Sequence, residues 1–412
     1  MPRIDAERLL SDLHQLRAIG AQGRGVVRPA FSATDMEARR WLKRRYEEAG
    51  LEATIDGVGN VLGRSRHSGK ALLIGSHSDT QPTGGWLDGA LGVIYALEVV
   101  RALAADSATR ALPVDAVSFQ DEESRFLGCL GSRSLIGALA PEMEHEAVDS
   151  HGVKLTDALS DAGLANVPRA RLSSDRYAGF IEAHIEQGPH LEDAGLRIGI
   201  VTGIVGLRSI RFVFRGQQNH AGPTMMAHRR DATTALYELA HRINVEFPEI
   251  AAARSVWTMG RLRVEPNATS IVPGYAELDL QFRDPSNEPL DAFEAVVARL
   301  VAEMNARGGV TIEAIPTRAP IAPTRMDAAL QAHIEAAAER HAPGSWQRMP
   351  SGAFHDAGIV SASIPSAMLF IPSLGGISHD FAEDSREEDI VLGCQVLADA
   401  AASILAERNA GH

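Results

Sequence analysis

The sequence predicts an α/β protein: a mostly parallel sheet carrying the chemistry, interrupted by a smaller inserted unit of ferredoxin-like βαββαβ order. Three observations predict it. Short apolar runs alternate with helical patterns as far as about Ile204, the order that builds a parallel sheet with helices on both faces. From Leu207 the runs turn half-polar and their order becomes βαββαβ, a compact two-layer unit. Four runs of the first pattern end in histidine or carboxylate residues, and in open α/β sheets ligands bind beyond the carboxyl ends of the strands.

The elements follow in order. Thr34 to Gly50 is the clearest helix: Thr34 is placed to cap it, Glu37 three residues on completes a capping box, and Gly50 can end it. Ala71 to Ile74 is a strand that runs on to His77, and a glycine-rich turn then delivers Asp88 ahead of the helical run Leu91 to Leu103. Val114 to Phe119 is a strand followed by Gln120, Asp121, Glu122 and Glu123, and Phe180 to Ile185 is a third, carrying His184. Leu207 to Gly216 alternates apolar and polar residues, the mark of a half-exposed strand. A helix at 231–245, strands at 255–264 and 275–283, a helix at 290–305 and a strand at 310–315 complete the insertion. After Pro323 the α/β pattern resumes, with a strand from Ala367 to Ile371 leading to His379 and a last helix from Ile390 to Ala406. The expected division is one domain at 1–207 plus 322–412 and an inserted one at 208–321.

Composition bounds the function. The chain has 412 residues, 45% of them apolar, enough for a proper core. A formal charge of −13 with no basic block argues against nucleic acid or an anionic membrane as partner. Cys129 and Cys394 lie in apolar helical contexts and read as buried, reduced thiols. The N-terminus lacks the apolar core of a secretory signal, and no apolar run approaches the roughly 20 residues of a membrane span. A cytoplasmic protein is expected.

The strand ends suggest metal chemistry. In an extended chain, residues two apart point to one side, so Asp79 can hold the ring of His77 from behind while that ring binds a metal. His77, Asp88, Glu123, His184 and His379 suffice for two divalent ions, with Asp88 as the bridge between them. A paired site can acidify a water held between its ions. Glu122 and Glu123 are neighbours and in extended backbone cannot face one ion, so Glu123 is assigned to the metal and Glu122 to the proton as general base. Arg229 and Arg230, just before Asp231 at a helix start, read as structural.

GSHSDT with LDGALG, QDEESRFLGCLGSRSL, HIEQGPHLE, NHAGPTMMAHRRDA and GGISHDFAED together resemble the M20 metallopeptidase superfamily. HIEQGPHLE and the NHAG block are more narrowly similar to its amidase branch of N-carbamoyl-L-amino acid hydrolases, β-ureidopropionases and allantoate amidohydrolases. The resemblance covers nearly the whole chain from about Gly25. It implies that His77 and His184 take one ion, that Glu123 and His379 take the other, that Asp88 bridges and that Glu122 is the base. It implies an oxyanion role for His220 in an inserted lid that also dimerises, and a carboxylate-gripping role for Arg283 with Asn267; Gln187 and His355 match positions near the pocket. It implies a small ureido or amino-acid substrate. Mixed nitrogen and oxygen ligation of the two divalent ions expected per subunit suits zinc or manganese, with cobalt or nickel also fitting. The exposed sheet edge expected of the inserted domain invites pairing with a second copy, a homodimer. Three positions depart from the branch pattern: Ser270 stands for the second asparagine of PNxxN, Pro223 to Met226 alter the HAGTTPM loop, and Phe354 replaces a glycine in SGAGHDA. None is a ligand candidate; all bear on the substrate. The expected activity is hydrolysis of a linear C–N bond of an N-carbamoyl acid through a metal-bridging hydroxide. An allantoate amidohydrolase, an M20 aminoacylase or dipeptidase, and a non-catalytic ligand-binding protein are the alternatives.

Overall fold

Four buried strands lie at the centre of the large sheet: β1 (Ala71–His77), β2 (Val114–Phe119), β3 (Tyr177–Ile185) and β4 (Ser366–Ile371). The structure, a computed structural model, describes residues 1–410. The four strands are ordered β4-β3-β1-β2 and run parallel. Every residue in them is buried, as expected of strands covered on both faces, which is why they read as unbroken apolar runs. The sheet is more mixed than its sequence pattern suggests. Val61–Arg64 pairs antiparallel with β2 and Glu52–Ile55 follows it, while Ile198–Ile204 lies antiparallel against β4.

The helix Ala90–Ala105 is apolar on almost every side and buried, because it connects β1 to β2 inside the main core. The last helix, Glu387–Ala410, shares that core through Ile390, Cys394, Leu397, Ala401 and Leu405. Its stretch Glu387–Arg408 is long and apolar enough by composition to cross a membrane, which corrects the expectation that no run is. Two-thirds of that window (67%) is buried within the fold, the mark of a core helix. Both cysteines are buried and unpaired.

The helix read at Thr34 to Gly50 spans Ala33–Glu48, and its capping box is displaced by two residues. Ser32 Oγ accepts from Asp35 N at 3.1 Å, and the Asp35 carboxylate accepts in return from Phe31 N at 2.8 Å. Asp35 wins over Glu37 because it is also tied to the buried Arg39 at 2.9 Å, a tertiary contact that local spacing does not show.

The chain divides into two compact units, Met1–Thr202 with the residues from Arg325 on, and Gly203–Thr324. In the second unit the strands are ordered Val256–Glu265, Tyr275–Asp284, Gly206–Arg215, Thr311–Pro316, all antiparallel. Helices Ala232–Ile250 and Asn287–Arg307 supply the other layer, capped by Asp231 and Ser286. Phe212, Phe214, Phe247, Phe282 and Phe293 fill its core; the rings of Phe247 and Phe293 stack at 4.3 Å. Strand Val256–Glu265 is one of the sheet's two edges and is largely exposed.

Candidate metal centre

Parallel pairing puts the carboxyl ends of β1 to β4 along one edge, and the register levels them. His77 pairs with Phe119, and Ile74 pairs with Ile181, each isoleucine three residues short of a histidine, His77 and His184. Those two rings stand 6.0 Å apart. The turn after β1 carries Asp88 back over them. Gly89 is required there: its φ is +64°, and a Cβ would lie 2.5 Å from the His77 ring.

Asp88 is the centre of the cluster. Its Oδ1 faces His184 Nε2 at 3.0 Å and His77 Nε2 at 3.6 Å, while its Oδ2 faces His379 Nε2 at 3.2 Å. His379 Nε2 is in turn 3.6 Å from Glu123 Oε1. Two donor sets result, His77–Asp88–His184 and Asp88–Glu123–His379, each with its ligand atoms within 4.8 Å of one another. Donors about 2.1 Å from a zinc-like ion in tetrahedral geometry lie roughly 3.4 Å apart, so this spacing fits a divalent ion. The ring orientations fit as well. His77 Nδ1 lies 3.1 Å from the carbonyl oxygen of Asp79 and His184 Nδ1 lies 2.8 Å from that of Ile185, so each Nδ1–H donates backwards. Each Nε2 is the ring atom turned to the cluster, hydrogen-bonded to Asp88 here and the one that would offer its lone pair to an ion.

The electrostatics are those of acids crowded out of water. Burial, Asp88 and Asp79 push Glu123 up to about 8 against the pull of His77 and His379. Burial raises Glu122 well above its ordinary value, with Glu123, Asp356 and Asp88 adding to it and His77 opposing. Burial also works against the charge on Asp88, yet His184, His379 and His77 outweigh it and hold that carboxyl well below the usual range. Hydrogen bonding to Asp88 raises His379 to about 9.

Glu122 and Glu123 are separated by a turn rather than by an extended backbone. Asp121 takes φ +53° just beyond β2, and its carboxylate accepts from the amides of Arg125, Phe126 and Leu127. Glu122 Oε2 thereby points towards His77 Nε2 at 3.7 Å, while Glu123 points towards His379.

Three residues differ from the sequence reading. Asp79 supports His77 through its backbone carbonyl; its carboxylate stays 3.9 Å from Nδ1, because β1 ends at His77 and the two-residue alternation ends with it. That carboxylate accepts from Glu123 N at 3.2 Å and lies 3.6 Å from the guanidinium of Arg39. His355, expected near the substrate, is 2% exposed, packs edge-on against the His184 ring at 4.7 Å and contacts Ser351 Oγ at 2.9 Å; it buttresses a ligand candidate. Gln187 donates to Asp88 Oδ2 at 3.2 Å and so touches the carboxylate that the two donor sets share.

Two supporting residues escaped the sequence reading. Glu383 Oε1 accepts from the amides of Leu87 and Asp88 at 3.1 and 3.0 Å, and Ser378 Oγ donates to its other oxygen. Gln81 donates to Glu123 Oε2 at 2.7 Å. The only signal for Glu383 was its place in GGISHDFAED; Gln81 had none.

Within the second unit, His220 sits on a two-residue strand paired with Ile271 and is exposed. The next residue, Ala221, donates its amide to the carbonyl of Ser270 at 3.0 Å, so the two segments that depart from the branch pattern are joined. Asn267 has φ +59°. Arg283 is half-buried, donates to Gln281 Oε1 at 3.0 Å and is lowered from its ordinary value by burial and by Arg318.

Residues 73–403 match the family described as peptidase family M20/M25/M40. Over 406 residues the chain is 36% identical to an N-carbamoyl-L-amino acid amidohydrolase of Geobacillus stearothermophilus, covering 96% of this chain and 97% of that one. An allantoate amidohydrolase of Bacillus subtilis (strain 168) is 32% identical over 91% of this chain and 92% of its own length. Among solved structures, an amidase of the hydantoinase/carbamoylase family from Burkholderia phymatum superposes with a TM-score of 0.93 at 51% identity, covering 99% of each chain.

Proposed function

The chain belongs to peptidase family M20/M25/M40, and from that premise we propose that it hydrolyses a linear C–N bond of an N-carbamoyl acid, above all an N-carbamoyl-L-amino acid. The observation that carries this reading is Asp88, whose two oxygens each face a separate donor set. We assign His77 and His184 to one divalent ion and Glu123 and His379 to a second, with zinc or manganese the best fits to mixed nitrogen and oxygen ligation. Bound there, such ions polarise a carbonyl and acidify a water.

The remaining work falls to side chains. Glu122, outside both donor sets yet 3.7 Å from His77 Nε2, takes the proton of the attacking water and returns it to the leaving nitrogen. His220 donates to the oxygen that gains charge at the carbonyl. Arg283 grips the substrate carboxylate through two parallel hydrogen bonds, and Asn267 is a further substrate contact. Gln187 holds Asp88 and thereby the geometry between the donor sets. The proposed setting is cytoplasmic. The proposed assembly is a homodimer through the exposed edge strand Val256–Glu265, whose Val256 and Leu262 are more than half exposed, at 56% and 55%. Light scattering should return twice the chain mass; the mass of a single chain would overturn the dimer.

The test of the reaction is a substrate panel on metal-reconstituted protein: N-carbamoyl-L-amino acids, N-carbamoyl-β-alanine, allantoate, N-acetyl amino acids and a dipeptide. Ammonia release is followed for the ureido compounds and free amine for the rest. Turnover of a carbamoyl amino acid is expected; cleavage confined to acetyl or peptidyl amides would place the chain with the peptidases.

Metal affinity should rise with pH. Glu123, pushed up to about 8, and His379, raised to about 9, both keep a proton at neutrality, and a divalent ion must displace it. Below these values the proton competes; above them the donors are open. Calorimetric affinity should therefore climb from about pH 7 to about pH 9 and then level. A flat profile across that window would count against Glu123 and His379 as ligands.

A further inference from the structure

We propose that the loop after His220 locks its imidazole in the tautomer that carries hydrogen on Nε2, and that Thr224 and Arg229 are positioning residues for that ring. The inference rests on the reading of His220 as the donor to the substrate oxygen, and it adds what makes the ring fit for that task. The amide of Gly222 donates to His220 Nδ1 at 3.0 Å. A backbone N–H can only donate, so Nδ1 must offer its lone pair, and the one hydrogen of the neutral ring is left on Nε2. A neutral imidazole with its hydrogen fixed on the outer nitrogen is a donor that needs no reorganisation when charge develops on an oxygen.

The contact spans only two residues and holds only if the loop keeps its shape. Four further bonds keep it. Thr224 Oγ1 donates to the carbonyl of His220 itself at 2.5 Å. Arg229 donates through Nη2 to the carbonyl of Ala221 at 2.5 Å and through Nε to the carbonyl of Thr224 at 3.1 Å, so one guanidinium ties together both ends of the turn. Ala221 N, anchored on the carbonyl of Ser270, fixes the start of the loop to the neighbouring segment. Pro223, one of the departures from the branch pattern, has no amide hydrogen and a fixed φ, so it stiffens the turn without competing for the ring. Arg229, read from the sequence as structural, thus acts on the ring through the loop that carries it.

The test is the long-range proton–nitrogen correlation spectrum of the full chain, zinc-loaded and labelled at histidine, with the His220 signals assigned by their loss in His220→Gln. The expected signature is a protonated Nε2 and a bare Nδ1. In Arg229→Met the two tautomers should mix, and kcat on the responsive substrate should fall on the order of tenfold to a hundredfold with KM nearly unchanged. Thr224→Val should move the same signals less far, and Thr224→Ser, which keeps the hydroxyl, should restore them. A hydrogen on Nδ1 in the unmodified protein would overturn the lock. So would a single Nε2–H tautomer together with full kcat in both Arg229→Met and Thr224→Val. If Arg229→Met does not fold, the valine and serine pair at 224 decides. The expected spectrum in a protein that turns over none of the ureido panel would uphold the lock and sink the ureido reading, so the two failures are distinct.

Discussion

Replacing Glu122 by glutamine should lower kcat by about a hundredfold to ten-thousandfold while leaving the metal content unchanged. Glutamine keeps the volume and one oxygen but cannot take a proton. The reason to expect intact metal is geometric: both donor sets close without Glu122. The reason to expect lost turnover is its setting. The side chain is nearly enclosed, with Oε2 towards His77 and Oε1 accepting from the Cys129 thiol at 3.7 Å, so it has a fixed place beside the cluster. Burial, supported by Glu123, Asp356 and Asp88, raises its proton affinity well above that of an ordinary glutamate, which suits a group that must take a proton and give it up within one cycle. The charged form accepts the proton, so activity should fall as pH drops through that raised value. Metal analysis and steady-state kinetics on the same preparation decide the matter. Loss of metal along with activity would make Glu122 a ligand, and full activity would place the base elsewhere.

The strand ends could be read from sequence for a physical reason. Parallel strands buried on both faces are unbroken apolar runs, so β1 to β4 stood out, and their polar ends stood out with them. The antiparallel flanks do not stand out in the sequence because Glu52–Ile55 and Val61–Arg64 are four residues each, too short for either an alternation or an apolar run to register. Asp79 misled because alternation holds only while the chain is extended, and the strand ends at His77. His355 and Glu383 are a different case. Their roles depend on residues far away in the chain: His355 lies against His184, and Glu383 reaches back to the amides of Leu87 and Asp88. No local spacing encodes such contacts; only the closed sheet brings the partners together. The same holds for the helix cap, where the pairing of Asp35 with Arg39 in the core chose Ser32 over Thr34.

Asp88→Asn should abolish tight metal binding and activity together. An asparagine offers one oxygen where the aspartate offers two, and its amide nitrogen must turn either towards His379 or towards His77 and His184. Whichever way it turns, one donor set loses its shared member and the other loses the negative charge that offset its ion. Both sets should weaken, and metal analysis after dialysis should find neither ion retained. Thermal melts provide the second reading. A ligand present at a hundred times its Kd adds about 2.7 kcal/mol to the folded state, so added metal should raise the Tm of the unmodified protein and leave that of Asp88→Asn nearly where it was. The metal-free variant should still fold, because the turn at Asp88 is held by its backbone: the amides of Leu87 and Asp88 donate to Glu383, which the substitution leaves in place. Retention of one tightly bound ion would show that one donor set closes without the shared carboxylate. Against Glu122→Gln, which should keep its metal and lose its turnover, the pair separates the group that holds the ions from the group that uses them.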